Sequence, residues 1–458
     1  MGPTDGPVEC ERLNRVPTAE KAPAVEKNLA DWRLRRRRIW LDFINGMLVA
    51  ALLLGLKLIL EDSRIVDRFR AMTYDLMQLR LASTSSGKNL PVAVVDISEI
   101  GLMDTDLPQR QATPREPLRH LLAIIAEQNP SAIGIDIDFS SDERGLMFRS
   151  DPEFFKYCLA LRNPRKARIP VFLGVRRSEM LRPAQWLDSE DFQELAASIA
   201  VPNKVGKMVE AISVTSSTRQ LPAMGAALAK AYRGQRPIAE LPKWMFHRVS
   251  EGSPSPGVFH APEFTVDFGP LGALEEQTHP VYATNTKPTI VFSPRLPLSG
   301  KIVLLGNAVR EKAFDQFSVP GEPKPKPGVY LHACAAYTLV TKPLFELSFL
   351  GNLLLDLFLA MIAFSIIAFI RLYYYKKTPQ EVATRPLEVV LLILLAGAIL
   401  IGGIGFVHLT RIMWEDAVLV SIALLAHSSV ADVISWSRRV IVAAWRAGVF
   451  QTNKESRS

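Results

Sequence analysis

The sequence predicts a membrane protein in which an α/β domain with a mostly parallel sheet is combined with an α-helical bundle of four transmembrane spans. Four long apolar segments support this prediction, one at residues 39–60 and three after residue 347. Between the first two segments, apolar β-branched runs alternate with stretches of helical periodicity, which is typical of parallel sheets with helical crossovers. Arginine and lysine concentrate beside the apolar segments, as expected for cytoplasmic loops.

Composition is consistent with this class. The chain has 458 residues, is 48% hydrophobic and carries a formal net charge of +8. We do not predict nucleic-acid binding, because the basic runs abut apolar spans instead of forming a folded patch. The three cysteines, Cys10, Cys158 and Cys334, make no metal-binding pattern, and no metal or cofactor is predicted. Cys158 and Cys334 either pair in an extracytoplasmic domain or remain two separate buried thiols, and we predict the second.

The N-terminal region predicts a cytoplasmic start. Residues 1–38 are rich in Pro, Ala, Glu and Lys and end in a run of arginines, so we predict a disordered basic tail. The arginines hold the N-terminus of the span at 39–60 in the cytoplasm. A cleaved signal peptide is disfavoured, because the apolar segment is long, lies far from Met1 and has no small-x-small cleavage site.

Residues 61–347 are predicted to form the α/β domain outside the cytoplasm. An amphipathic helix at 61–81 leaves the membrane. Apolar runs, several of them ending in acids, predict strands, and apolar residues at helical spacing predict helices. The Pro- and Gly-rich residues 233–262 predict a loop or insertion. Strands are expected at 91–97, 132–139, 169–175, 263–268, 289–292 and 302–305, and helices at 117–128, 191–199 and 221–232.

Three further spans follow the domain, at residues 348–371, 387–408 and 417–435. The loop at 372–386 and the tail at 436–458 are basic, whereas the connection at 409–416 has mixed charge. This distribution places both termini and the loop in the cytoplasm and the domain on the other side of the membrane.

Several motifs resemble the CHASE2 domain over roughly residues 61–347. They are Tyr74-Asp75 with Leu79-Arg80-Leu81, AIGIDIDF at 132–139, LPAMGAALAKAY at 221–232, KIVLLG at 301–306 and PGVYLHA at 327–333. Thr113-Pro114-Arg115 stands where the family has a wPw.R motif, without its tryptophans. The resemblance implies an extracytoplasmic sensory module of a bacterial inner-membrane signalling protein, with the usual order of one span, domain and three spans.

Acidic residues mark a candidate ligand site. Asp96, Asp136 and Asp138 end two predicted neighbouring strands, and Asp315 and His332 follow a third. Ligands bind at these carboxyl ends in open α/β sheets, and carboxylates suit hard cations. Asp136 and Asp138 are predicted to share one face of a strand. The alternative is that these acids cap helices or pair with arginines such as Arg115 and Arg310.

Catalysis has little support, because no phosphate loop, GxSxG or HExxH motif is present, and no catalytic residue is predicted. Within the spans, Asp356, His427 and Asp432 are costly ionisable groups. They are expected either to pack between helices or to take part in coupling.

The function predicted from these observations is a sensor. An unknown ligand or envelope partner binds the domain, and the spans signal to a separate cytoplasmic effector, because about two dozen residues after 435 are too few for an output domain. A homodimer is expected by analogy with other membrane sensors. The alternatives are a constitutive membrane scaffold and an extracytoplasmic metal-dependent hydrolase that uses Asp96, Asp136, Asp138 and Asp315.

Overall fold

A computed structural model provides the fold. It describes residues 63–82, 89–104, 111–140, 147–163, 168–176, 186, 192–199, 201–202, 206–213, 220–234, 246–247, 263–283, 290–309, 315–341, 343–377 and 385–425, together with scattered positions between 33 and 59. The chain divides into two compact units, of which one comprises Leu56–Asp356 and Ile393–Leu425. The site described below lies entirely within that unit.

A seven-stranded, mostly parallel sheet forms the centre of the domain. Its strands are β1 (Val92–Asp96), β4 (Ala132–Asp136), β5 (Val171–Val175), β6 (Ala196–Ser198), β12 (His279–Ala283), β13 (Ile290–Phe292) and β14 (Ile302–Gly306). Their order across the sheet is β13-β12-β1-β14-β4-β5-β6. Only β13 is antiparallel to its neighbour among the pairs of this sheet. The predicted α/β class with a largely parallel sheet is therefore confirmed.

Helices cover both faces of this sheet. They are α2 (Arg115–Glu127), α3 (Asp151–Arg162), α4 (Met224–Arg233), α5 (Leu271–Glu276) and α6 (Gly328–Val340), and a further helix, α1 (Arg64–Ala82), precedes β1 in the chain. Alternate side chains of each strand enter opposite cores, because successive residues in a strand point to opposite faces. Val303 and Leu305 join the core with α2 and α3, whereas Ile302 and Leu304 join the core with α4 and α6.

The domain also contains short paired strands outside the central sheet. They are β2 (Met103–Asp104) with β3 (Gln111–Ala112), β7 (Lys207–Val209) with β11 (Glu263–Thr265), β8 (Ala211–Ser213) with β9 (Gln220–Pro222), and β15 (Gln316–Phe317) with β16 (Lys326–Pro327). A further small sheet joins β10 (Phe246–His247), β17 (Phe345–Leu347) and β18 (Ile412–Met413). The last pairing connects the end of the domain to residues 411–416, which we call the connector.

One element prediction is wrong. Residues 191–199 were expected to form a short helix, but only Gln193–Leu195 form a 3₁₀ turn. The following residues form β6, which pairs with β5 at the edge of the sheet. A short apolar run fits either periodicity, and the hydrogen bonds offered by β5 favour the strand here.

Within the described residues, two helices are long and apolar enough to cross a membrane. They are α7 (Phe349–Lys377), with the apolar window Phe349–Phe369, and α8 (Arg385–Thr410), with the window Val389–Thr410. Both helices extend into residues 372–386, where a loop is predicted, because lysine and arginine are good helix formers. The described positions of 39–60 are helical, and so are residues 417–425. Most of the first span, the rest of the fourth, the N-terminal tail and the C-terminal tail lie outside the described residues.

The two cysteines of the domain are separate buried thiols, as predicted. Cys158 lies on α3 in one core and Cys334 on α6 in the other, and neither forms a disulfide. The sheet stands between the two cores, so a bond between these residues is geometrically impossible.

Candidate functional site

The predicted acids meet at the carboxyl edge of the three central strands. In the paired registers, Asp96 of β1 and Asp136 of β4 lie on either side of Gly306 of β14. The strands form because apolar residues fill both of their faces, and each strand ends where its first acid reaches the edge of the sheet.

A cavity of about 620 Å³ opens at this edge. Three of the predicted residues, Asp136, Asp138 and Asp315, line it, and we call it the carboxyl-edge cavity. The wall also carries a cation and an amide, from Arg176 and Asn307. Its apolar lining includes Ile97, Leu102, Ile137, Phe148 and Ile199.

Asp136 is the most buried acid of the cavity. Its side chain is 6% exposed, and Nε2 of His332 lies 3.6 Å from its Oδ1, which is too long for a hydrogen bond. No hydrogen bond to the Asp136 carboxyl group is found within the described part of the domain. Burial raises the pKa of Asp136 to about 7, against the opposing charge of Arg176. This acid therefore changes its protonation near neutral pH.

Asp315 reaches the cavity because a glycine leaves room for it. A Cβ atom at Gly328, the first residue of α6, would overlap the Asp315 carboxylate. Burial and the charge of Asp136 raise the pKa of Asp315 to about 6. One turn further along α6, burial lowers the pKa of His332 to about 4, so its imidazole is neutral at pH 7. The PGVYLHA motif thus supplies both the space for one acid and the neighbour of another.

The remaining predicted acids hold loops in place. Asp96 accepts hydrogen bonds from Ser98 N–H at 3.1 Å and from Ala308 N–H at 3.0 Å. Asp138 accepts from Ser140 N–H at 2.9 Å and from Arg176 N–H at 3.3 Å. Asp96 therefore holds the loops after β1 and β14 in place, whereas Asp138 both fixes a loop and lines the cavity.

Two details of the prediction need correction. Strand β4 ends at Asp136, so Asp138 follows it in a loop and the two acids do not alternate along one strand. Asp138 starts this loop by accepting the N–H group two residues ahead, which competes with strand pairing. Arg115 pairs with Asp151 at 2.6 Å and not with any candidate acid. Arg310 lies outside the described residues.

The acids do not assemble a metal centre in the part of the domain that the structure describes. Among those residues no group of three or more His, Cys, Asp or Glu side chains is placed to hold a metal ion. Asp96 is directed at backbone N–H groups, away from the other acids that the hydrolase alternative needs. The cavity is better suited to a small molecule with polar and apolar parts.

A second polar cluster, which the sequence analysis missed, lies where the domain meets the connector. We define the junction cluster as Tyr74 of α1, Lys207 of β7, Glu346 of β17 and Glu415 of the connector. Nζ of Lys207 donates to Glu346 Oε2 at 3.1 Å and to Glu415 Oε1 at 3.0 Å. The Tyr74 hydroxyl lies within hydrogen-bonding distance of Oε1 of both glutamates, at 2.9 Å from that of Glu415.

Neighbouring side chains extend the junction cluster. The Thr265 hydroxyl donates to Glu346 Oε1 at 2.6 Å. Arg70 of α1 lies 3.3 Å from Glu415 and 3.9 Å from Asp416. The Glu346 side chain is 2% exposed and that of Glu415 is 12% exposed, so both charges lie largely out of water.

Burial and neighbouring charges shift the pKa values of the two glutamates in opposite directions. Burial raises the pKa of Glu346, and the negative charge of Glu415 raises it further, to about 8. Burial alone would also raise the pKa of Glu415, but Lys207, Glu346 and Arg70 together lower it. The pKa values of the two glutamates therefore move in opposite directions, so Glu346 holds a proton more readily than Glu415.

A second contact fixes the connector to the domain. Nη2 of Arg411 lies 2.5 Å from Oδ2 of Asp267, and the Arg411 carbonyl accepts the N–H of Phe345 at 2.9 Å. Arg411 has a φ of 62°, which is uncommon for a residue other than glycine. A sequence signal for this junction existed only in part: Tyr74 belongs to the motif that resembles the CHASE2 leader.

The ionisable residues predicted within the spans are only partly placed. Asp356 lies on α7 and is buried. His427 and Asp432 lie outside the described residues, so the expected role of these residues in packing or coupling stays a prediction.

The fold and the site define an α/β domain that presents a polar cavity at its sheet edge and is followed by apolar helices. The family model of the CHASE2 domain matches residues 47–367, which is more than half of the chain. The chain therefore belongs to the CHASE2 domain family, whose domains are extracellular sensory domains. Searches of curated proteins and of solved structures gave no match.

Proposed function

We propose that this protein is an integral sensor of the bacterial inner membrane. Its CHASE2 domain lies outside the cytoplasm and binds a small ligand in the carboxyl-edge cavity. The spans pass the bound state to a separately encoded cytoplasmic effector. Membership of a family of extracellular sensory domains supports the sensor role, and two apolar helices after the domain support the membrane location.

The carboxyl-edge cavity is the observation that carries this proposal. It lies at the ends of adjacent parallel strands, which is where open α/β sheets bind ligands. It holds an acid that is 6% exposed and without a hydrogen bond among the described residues, beside the cation of Arg176 and an apolar wall. A carboxyl group that is nearly buried beside the neutral imidazole of His332 and lines the cavity is available to a hydrogen-bond donor of a ligand.

The junction cluster supports transmission of the bound state. A ligand shifts an equilibrium only if it binds one conformation better than another. Elements of the domain contact the connector through Lys207 and Asp267, and the connector directly follows α8. A movement of β7 or β11 relative to the connector would therefore act on the ends of the apolar helices.

The proposed orientation is tested by labelling in intact cells. In a Cys10→Ser background, Glu153→Cys adds an exposed thiol to α3, and Gln380→Cys adds a thiol to the segment of the chain between α7 and α8. A membrane-impermeant maleimide should label the first variant in intact cells and the second only after lysis. Labelling of both in intact cells, or of neither before lysis, would contradict the orientation. The buried thiols Cys158 and Cys334 provide an internal baseline.

A further inference from the structure

If both glutamates are ionised, the junction cluster has one hydrogen too few to form a hydrogen bond at each of its close oxygen–oxygen contacts. The Tyr74 hydroxyl has one hydrogen but lies against an oxygen of each glutamate. With two carboxylates, its lone pairs would face a negative oxygen at one of these contacts. With a proton on Glu346, the carboxyl group donates to Tyr74, and Tyr74 donates to Glu415, so both contacts are satisfied.

The burial of the two glutamates favours the same proton. Glu346 and Glu415 share the ammonium group of Lys207, and the Glu346 side chain is 2% exposed. A proton on Glu346 leaves one negative charge of the pair beside this ammonium group. This matters because an uncompensated buried charge is costly.

We propose that Glu346 and Glu415 form a proton-binding site at the base of the domain, and that loss of its proton releases the connector. The proton is the ligand of this site, which makes it distinct from the carboxyl-edge cavity. When the proton leaves, two negative charges share Lys207, and Tyr74 can donate to only one of them. The two negative charges then repel each other. One belongs to β17, which immediately precedes α7, and the other to the connector, which follows α8.

Several described elements place charged or titratable groups near the pair. Arg70 and Tyr74 come from α1, Lys207 from β7, and Asp416 from the connector. Strand β11 contributes the uncharged Thr265. His247 of β10 is paired through the backbone with Glu346. Burial and the charge of Glu415 raise the pKa of Glu346 to about 8, which puts release of the proton slightly above neutral pH.

The site itself does not depend on the cavity binding a ligand, but its exposure to external pH rests on the proposed orientation. Infrared difference spectra of the full-length Asp136→Asn protein in nanodiscs, recorded between about pH 7 and about pH 9.5, detect the proton without the titration of Asp136. We expect a carboxylic-acid carbonyl band that disappears as the pH rises, and the same band should be missing when Glu346→Gln is added. A band that persists unchanged with Glu346→Gln, or no such band without it, would overturn the proposal.

A distance measurement tests release of the connector. One spin label is placed at Leu409→Cys, which is 84% exposed and lies at the end of α8 beside the connector, and the other at Glu153→Cys on α3. Their separation reports movement of the connector relative to the domain. The distribution should broaden at high pH in the wild type and remain narrow at both pH values in Glu346→Gln. The matched control is Glu275→Gln, which alters a lysine-bound glutamate elsewhere on the domain and should keep the wild-type response. An unchanged wild-type distribution would contradict the release.

Glu415→Gln provides an independent variant if Glu346→Gln does not fold. Removing the charge of Glu415 takes away a cause that raises the pKa of Glu346. The midpoint of the infrared transition should therefore fall by about one pH unit or more. A merely structural role would leave the midpoint where it is. Failure of any of these results leaves the labelling experiment on orientation unaffected, so the two proposals fail separately.

Discussion

Glu346 and Glu415 lie on opposite sides of the two apolar helices in the sequence, yet both bind the same Lys207 ammonium group. The lysine comes from the domain, one glutamate from the strand before α7 and the other from the connector after α8. This arrangement joins three chain segments through one buried positive charge. Its contribution to stability and its response to pH are both measurable.

Replacing Lys207 by Met should destabilise the protein strongly. The substitution keeps the length of the side chain but leaves Glu346 and Glu415 without their shared cation, and breaking a buried ion pair typically costs about 3–5 kcal/mol. Thermal unfolding of the full-length protein should show a clear fall in Tm. Lys230→Met, at an exposed position of α4, is the matched control and should leave Tm nearly unchanged. Equal Tm values for the two variants would show that the shared cation is unimportant.

Gly328→Ala should disturb the cavity, whereas Gly272→Ala should not. The first substitution places a methyl group against the Asp315 carboxylate, and overpacking of this kind costs about 1–3 kcal/mol. The second adds a methyl group in open space on α5, where alanine is the better helix former. In chemical unfolding, the free energy of unfolding should be lower than that of the wild type for Gly328→Ala and higher for Gly272→Ala. A neutral Gly328→Ala would mean that Asp315 is not held as described.

Asp136 should make stability fall as the pH rises from about 4 to about 7. Its folded-state pKa is raised to about 7, so the folded protein keeps a proton that the unfolded chain releases across this window. Each such acid lowers the free energy of unfolding by at most about 1.4 kcal/mol per pH unit. Unfolding curves at several pH values should show a flatter slope for Asp136→Asn than for the wild type. Glu116→Gln, at an exposed surface pair, should keep the wild-type slope.

Deletion of residues 436–458 should leave the domain folded and abolish coupling to the effector. This follows from the proposal that the cytoplasmic tail and loop contact the effector. In-cell crosslinking followed by affinity purification of the full-length protein should recover a cytoplasmic signalling protein in stoichiometric amount. The deletion variant should have the same Tm but recover none of it. Undiminished recovery would assign the contact to another part of the chain.

The central strands could be predicted from the sequence, because strands that are buried on both faces consist of continuous apolar runs. β1, β4 and β14 were found in this way, and their terminal acids located the cavity. Strand β12 was missed, since His279 and Pro280 at its start do not resemble a buried strand. The junction cluster was also missed, because Lys207 precedes its partners by 139 and 208 residues and no local pattern encodes such pairing.

Binding of a ligand in the carboxyl-edge cavity can be measured by thermal unfolding. The full-length wild type, Asp136→Asn and the cavity-blocking Ala112→Trp are compared in the presence of fractionated small molecules from envelope fluid. We expect at least one fraction to raise the Tm of the wild type and to have no effect on either variant. If every fraction leaves the wild type unchanged, or if both variants respond as the wild type does, the cavity is not the sensory site.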